Sequence, residues 1–371
     1  MDDFYFFTIF IALLSFGSRK LSFVFSIVGV FIFLSILPDT GFDYSRYEAT
    51  FEGGYLIDSF PFFKTHSTID AEPLYLWYNA FMSFVLNKNF QLFLSFNFLV
   101  CVFISKIAFK EVSITNFYLF WIFLLPVIIP TIFYYSPRSS ISFFLILFAF
   151  MKFIRGNYVL AILAILAGIS IHSQFLLISA LLIFTYFFLN FKSKFQLDSS
   201  KRYIIIIAAS LTVLLIFINY FSSVLVSLLS FLPSADLATA KLHYFETARE
   251  GFRVTSILSI IVYPLLAYKL VLNIKEQKLL MFKTEYLDRV FIIMLFAVIC
   301  YGASINIAYF NNPHLAGRLS RFSDYIGMGI LLPLSLIRIY NKKLLNPVLV
   351  LLVILSPIIF GTLYHNVDWG L

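Results

Sequence analysis

A chain of 371 residues that is 61% hydrophobic and 12% charged, with 48 phenylalanines and a mean hydropathy of +0.93, cannot close into a soluble globule, where about a quarter of residues are charged. The same numbers exclude a disordered chain. The net charge of +8 belongs to a membrane topology rather than to nucleic acid, because no basic run interleaved with aromatics occurs; nucleic acid is excluded as a partner. Cys101 and Cys300 both sit inside apolar runs and form neither a disulfide framework nor a metal spacing. There is no N-x-Ser/Thr sequon and no P-loop pattern. The first apolar run starts at Phe4 without a basic leader or a small-residue cleavage site, and is expected to be retained.

A membrane span takes about 20 apolar residues. Twelve candidate spans follow in chain order: 4–16, 21–37, 90–104, 117–135, 139–154, 157–171, 174–190, 203–221, 254–272, 290–310, 322–340 and 347–363. Strand alternation is absent, and each segment must satisfy its own backbone, so helix is the expected element. The expected fold is an all-α polytopic membrane protein forming one integral domain over 1–371. Pro126, Pro130, Pro264, Pro333 and Pro357 fall within these spans, where each removes a backbone donor and bends its helix.

The run 74–86 is decided by sidedness. If it does not cross, one side of the membrane holds 18 of the 27 basic residues and 5 of the 19 acids. The positive-inside rule makes that side cytoplasmic. The 74–86 run then lies in the outer interface, the other option being a short thirteenth span. Three long loops fall outside: 38–73, 222–253 and 311–321.

Polar chemistry collects on that outer side. All five histidines (His66, His172, His243, His314 and His365) and Arg138, Arg249, Arg253, Arg318 and Arg321 lie there or at its rim. A planar, permanently charged guanidinium suits bidentate capture of phosphate oxygens. Arg138, the pair Arg318 and Arg321, and then Arg249 and Arg253 are candidates for binding a pyrophosphate. Arg318 and Arg321 are one turn apart and share a face if the helix of 322–340 begins early. Ion pairing with outer acids and headgroup contact are the bland alternatives. Asp43 and Glu72 are candidate general bases. Glu72 precedes Pro73, where an acid also suits a helix N-terminus. His172 interrupts the apolar stretch 157–190 and is a third candidate, the alternative being a turn histidine bonded to a backbone carbonyl. Tyr44 and Tyr47 are candidates for stacking on a sugar ring, and Tyr75, Trp77 and Tyr78 for the interfacial aromatic belt.

Asp43-Tyr44-x-x-Tyr47, Glu72-Pro73 opening an apolar helix, Arg138 before a Ser/Ala-rich span, His172 after a span, and an arginine-rich approach from Arg318 to Tyr325 occur in this order. This arrangement, across roughly 40–340, resembles the EpsG-like polymerases, a branch of the Wzy-type O-antigen and exopolysaccharide polymerases. Two departures stand out. Family members often read Arg-Gln where this chain has Arg138-Ser139, and His-x-Ser-Ala where it has His172-Ser173-Gln174.

The resemblance implies a GT-C-like membrane glycosyltransferase on the outer face of a bacterial inner membrane, facing the periplasm or cell exterior. It implies a donor glycan on undecaprenyl pyrophosphate, an acceptor repeat unit on a second such lipid, and a separate chain-length regulator as partner. Asp43, Glu72 and His172 would supply the base and the arginines would grip the pyrophosphate. No cofactor and no metal are expected. Two other classes compete. A lipid-linked-oligosaccharide flippase would carry charge deep in many helices and a two-lobed repeat, whereas charge here sits at the rims. A membrane O-acyltransferase acting on the same glycans would carry an Arg/His-rich opening span.

Overall fold

A computed structural model describes residues 2–36, 42–52, 72–110, 117–128, 136–193, 254–277, 285–308 and 313–359. Among the described residues every regular element is a helix. The elements are α1 (Asp2–Leu14), α2 (Arg19–Ile36), α3 (Phe42–Glu52), α4 (Pro73–Val85), α5 (Phe90–Lys110), α6 (Phe117–Ile128), α7 (Pro137–Ile154), α8 (Tyr158–Ile171) and, after a 3₁₀ turn Ser173–Phe175, α9 (Leu176–Ser193). There follow α10 (Val254–Ile257), a π-helical turn Leu258–Val262, α11 (Tyr263–Gln277), α12 (Glu285–Ala308), α13 (Pro313–Leu319) and α14 (Arg321–Ile326). A second π-helical turn, Gly327–Leu331, leads to α15 (Leu332–Arg338), and the 3₁₀ turn Lys342–Leu344 to α16 (Leu345–Ile359).

Eleven of the twelve candidate spans are helical over most of their described residues; 203–221 lies outside the described residues, as do 129–135 and 360–363. Arg19–Ile36, Phe90–Lys110, Pro137–Ile154 and Val290–Ala308 are long and apolar enough to cross a membrane. The surfaces agree. Phe103 on Phe90–Lys110 is 64% exposed, and Val159 and Leu163 on the shorter apolar helix α8 are 70% and 56% exposed, a pattern aqueous proteins rarely present. The protein is a membrane-embedded helical protein. The run 74–86 is the helix α4, whose 13 residues reach about 20 Å at 1.5 Å per residue, short of the roughly 30 Å hydrocarbon core. It buries Tyr75, Asn79 and Ser83 and exposes Trp77, Phe81 and Phe84.

Two stretches read as loops are partly helical. Within 38–73 the structure has α3, and within 311–321 it has α13. The spacing of Tyr44, Tyr47 and Phe51 at three and four residues makes one buried stripe along α3, the pattern of an amphipathic helix.

The residues divide into two compact units: Met1–Leu176 with Tyr340–Leu371, and Leu177–Ile339. In the first, α7 is the central helix, packed against α5 and α8. Its small residues permit this. The Ser142 hydroxyl donates to the Gly168 carbonyl at 2.7 Å, and a Cβ on Gly168 would lie 2.9 Å from Ile146, so a side chain there would push the two helices apart. Trp121 stacks on Phe144 at 5.2 Å and donates from Nε1 to the Ser105 hydroxyl, joining α6, α7 and α5. The Tyr5 hydroxyl donates to the Ile354 carbonyl, fastening α1 to α16.

In the second unit α11, α12, α14 and α15 pack around the two π-helical turns. Each π turn runs into a proline, Pro264 after Leu258–Val262 and Pro333 after Gly327–Leu331. A proline removes the donor an i−4 carbonyl needs, and the wider i→i+5 turn is one way a helix absorbs that loss. The prolines are thus resolved here by local rewinding.

Candidate functional site

Among the described residues of the first unit, a polar cluster forms where α4 and α7 begin and α8 ends. Both α4 and α7 start with proline at the first helical position, where the missing N–H would have had no intrahelical partner. Glu72 and Ser136 therefore occupy the N-cap positions, and neither side chain caps its own helix. The capping role available to Glu72 in the sequence is not the one it takes. Its carboxylate turns to other elements.

Arg138 Nη1 donates to Glu72 Oε2 at 3.2 Å. Glu72 Oε1 accepts from the Ser173 backbone N–H at 2.8 Å and the Ser173 hydroxyl at 2.7 Å. His172 Nδ1 stands 3.5 Å from the same oxygen, long for a hydrogen bond and within ion-pair range. The side chains of Glu72, Arg138 and His172 are 11%, 18% and 13% exposed. Burial alone would push the Glu72 carboxyl up. The hydrogen bond and charge of His172, the charge of Arg138 and the Ser173 hydrogen bond override it and hold the group well below the usual carboxylate range. Glu72 in this state is a firmly held anion and a weak proton acceptor.

The supporting contacts come from residues the sequence reading did not single out. Asn97, fully buried on α5, donates to the Pro137 carbonyl at 3.1 Å and the Ser140 hydroxyl at 2.8 Å, fixing the first turn of α7 that carries Arg138. Gln174 Nε2 donates to the Ser139 hydroxyl at 3.3 Å, and Ser136 and Ser139 hydroxyls lie 2.7 Å apart. His172 takes extended backbone at the α8 C-cap, with its N–H on the Gly168 carbonyl. This presents Ser173 to Glu72. The two places where the chain departs from the polymerase pattern, Ser139 and Gln174, are in contact with each other.

Tyr47 lies beneath Arg138, whose Cζ is 6.0 Å from the ring centroid. Tyr47 also meets the Tyr75 ring edge-on at 6.1 Å. Tyr44 is fully buried, edge-on to Phe90 at 5.1 Å. Its ring packs in the core, whereas stacking on a sugar needs an open face. Tyr75 is likewise buried rather than part of an interfacial belt. Asp43 is the second residue of α3; its side chain lies outside the described residues.

The second unit holds its own polar group. Asp324 on α14 accepts from the Ser259 hydroxyl at one oxygen and from the Ser320 hydroxyl at 3.1 Å at the other, with Arg321 in electrostatic range. Arg318 lies in the last turn of α13 and Arg321 opens α14, both half-buried. Ser320 between them keeps right-handed helical backbone, its N–H on the Ala316 carbonyl and its carbonyl accepting from the Asp324 N–H, so α13 runs into α14 through a single irregular residue. Arg249 and Arg253 lie outside the described residues.

Among known proteins, the model of the EpsG family matches residues 20–369, nearly the whole chain. No curated protein and no solved structure matches it significantly.

Proposed function

The chain belongs to the EpsG family, and on that premise we propose that it is an oligosaccharide repeat-unit polymerase. Family membership supports the coarse statement, a polysaccharide-polymerase-like membrane protein. The finer reading is a GT-C-like glycosyltransferase with twelve crossings in the bacterial inner membrane. It moves a growing glycan from undecaprenyl pyrophosphate to a repeat unit on a second undecaprenyl pyrophosphate, on the outer face, with a separate regulator setting chain length.

The observation that carries this reading is the partly buried cluster of Arg138, Glu72, His172 and Ser173. In the reaction the acceptor hydroxyl oxygen bonds to the donor's anomeric carbon. The bond from that carbon to the pyrophosphate oxygen breaks, and the leaving pyrophosphate keeps the electron pair. A pyrophosphate leaving group needs its growing negative charge stabilised rather than a proton, and a fixed guanidinium in a mostly dry site does that. Arg138 has this role; Arg318 and Arg321, in the second unit, are proposed separately as pyrophosphate ligands on the strength of their charge alone. The hydroxyl gives its proton to a general base. Asp43 is the first choice, since Glu72 is engaged as an anion; His172 is next. Tyr47 forms the floor under Arg138.

The test is analysis of lipid-linked and surface glycans in a deletion strain. A polymerase mutant accumulates glycan limited to one repeat unit. Complete absence of surface glycan would identify a flippase instead, and full-length chains of altered mass an acyltransferase.

A further inference from the structure

We infer that Arg138, His172 and Ser173 form a binding site for a phosphate group, and that Glu72 occupies this site as an internal ligand until a lipid-linked pyrophosphate displaces it. The inference rests on the polymerase reading only for what carries the phosphate.

The donor set is what an anion site requires. A guanidinium N–H, a backbone N–H, a hydroxyl and an imidazole nitrogen converge on the two oxygens of one carboxylate, at 3.2, 2.8, 2.7 and 3.5 Å. Charge-assisted bonds of this kind recognise carboxylate and phosphate oxygens alike. The backbone that carries the donors is also held without Glu72. Arg138 sits on the first turn of α7, which Asn97 fixes through the Pro137 carbonyl and the Ser140 hydroxyl. His172 and Ser173 sit just past α8, which is tied to α7 by the Ser142–Gly168 bond and by Gln174 on Ser139. None of these contacts passes through Glu72.

The acceptor comes from elsewhere. Glu72 stands at the N-cap of α4, and its side chain does not cap that helix. On its departure the start of α7 and the segment after α8, which carry the donors, keep their own contacts and offer the position to another anion. Protonation does not evict it near neutral pH, because the same donors hold its carboxyl below the usual range. Eviction therefore calls for a competing anion with more charge and more oxygens, which a pyrophosphate has. A displaced Glu72 would lose the contacts that make it a weak base, so phosphate binding and proton acceptance become coupled at one residue.

An occupied site costs affinity. If about a tenth of molecules have the carboxylate swung away, a phosphate ligand binds about tenfold more weakly than to an open site. The experiment measures binding of sodium pyrophosphate and farnesyl pyrophosphate to the full chain in nanodiscs of phosphatidylcholine, and repeats it with phosphatidylglycerol present. Glu72→Gln removes the charge and should tighten pyrophosphate binding by about 10-fold or more. Adding Arg138→Lys or Ser173→Ala to Glu72→Gln should take that gain back. A gain for farnesyl pyrophosphate above that for the inorganic ion identifies a prenyl-linked source, and competition by phosphatidylglycerol a headgroup source.

Unchanged or weaker pyrophosphate binding in Glu72→Gln overturns the inference and makes Glu72 a scaffold for the arginine. Should Glu72→Gln not fold, Glu72→Asp serves: it keeps the charge but withdraws the carboxylate by one methylene, and it too should bind pyrophosphate more tightly than wild type. The same binding in Glu72→Asp as in wild type refutes the inference. The polymerase reading fails separately. A tightened site in Glu72→Gln, together with full-length glycan in the deletion strain, keeps the anion site and removes the polymerase.

Discussion

Replacing Arg138 by lysine separates charge from geometry at the site. The guanidinium meets Glu72 at 3.2 Å while lying 6.0 Å from the Tyr47 ring centroid, and both contacts depend on a planar group held at a fixed tilt. Lysine keeps the cation, so Glu72 retains a partner and the ~3–5 kcal/mol cost of stranding a buried charge is avoided. Losing the cation–π contact costs about 0.5–1 kcal/mol, a small fall in stability. The rate should respond far more. Loss of one preorganised donor at a developing oxyanion typically lowers turnover about 10²- to 10³-fold, roughly 3–4 kcal/mol.

The assay is chain growth from purified lipid-linked repeat units, run beside thermal melts in the same detergent. Arg138→Met provides the contrast: it strands Glu72, and both stability and rate should fall. The reasoning is refuted if Arg138→Lys polymerises within about threefold of wild type at equal folded protein, since charge alone would then suffice.

The remaining predictions address the base, the supporting contacts, pH and orientation. Asp43→Asn should lower turnover by about 10²- to 10⁴-fold with pyrophosphate binding kept; a near-normal Asp43→Asn beside a dead His172→Ala moves the role to His172. Ser139→Gln and Gln174→Ser should each reduce stability, and the pair together should recover about 0.5–1.5 kcal/mol, because one amide again faces one hydroxyl; simple additivity in melts of all three would refute this. The Glu72 carboxyl lies below its ordinary value of about 4.5, so its share of stability is complete above that pH and is lost only as pH falls beneath it. The melting difference between wild type and Glu72→Gln should therefore persist to pH 5; a loss between pH 7 and 6 contradicts the assignment. Cysteines at Ser67 and Ala240 should react with an impermeant thiol reagent in intact cells and cysteines at Ser199 and Lys278 should not, and the reverse pattern overturns the sidedness.

Helix positions were legible because apolar length is a local property, and eleven candidate spans are helical over most of their described residues. The helix α3 was hidden by its company. Asp43, Arg46, Glu48 and Glu52 make 42–52 look like a solvated loop, although Tyr44, Tyr47 and Phe51 carry the spacing of a buried stripe. Arg138, Glu72 and His172 were each legible as unusual, but their meeting was not. Glu72 and His172 are 100 residues apart in sequence, and only the packing of α4 on α8 joins them. Ser173 was passed over because a serine after a helix is commonplace, and its N–H and hydroxyl point at Glu72 only through the extended backbone of His172.

The departures from the family pattern acquire a physical meaning once the contacts are known. The two positions at which this chain differs from the pattern it resembles, Ser139 and Gln174, bond to each other at 3.3 Å. One amide and one hydroxyl thus meet across the junction of α7 with the segment after α8. Their neighbours are in register, since Arg138 reaches Glu72 and Ser173 donates both its hydrogens to that carboxylate. A buried polar junction tolerates a swap of partners far better than the loss of one, because a stranded donor costs about 1–3 kcal/mol. In this chain Ser139 and Gln174 thus act as one bond between two elements, and losing either partner removes it.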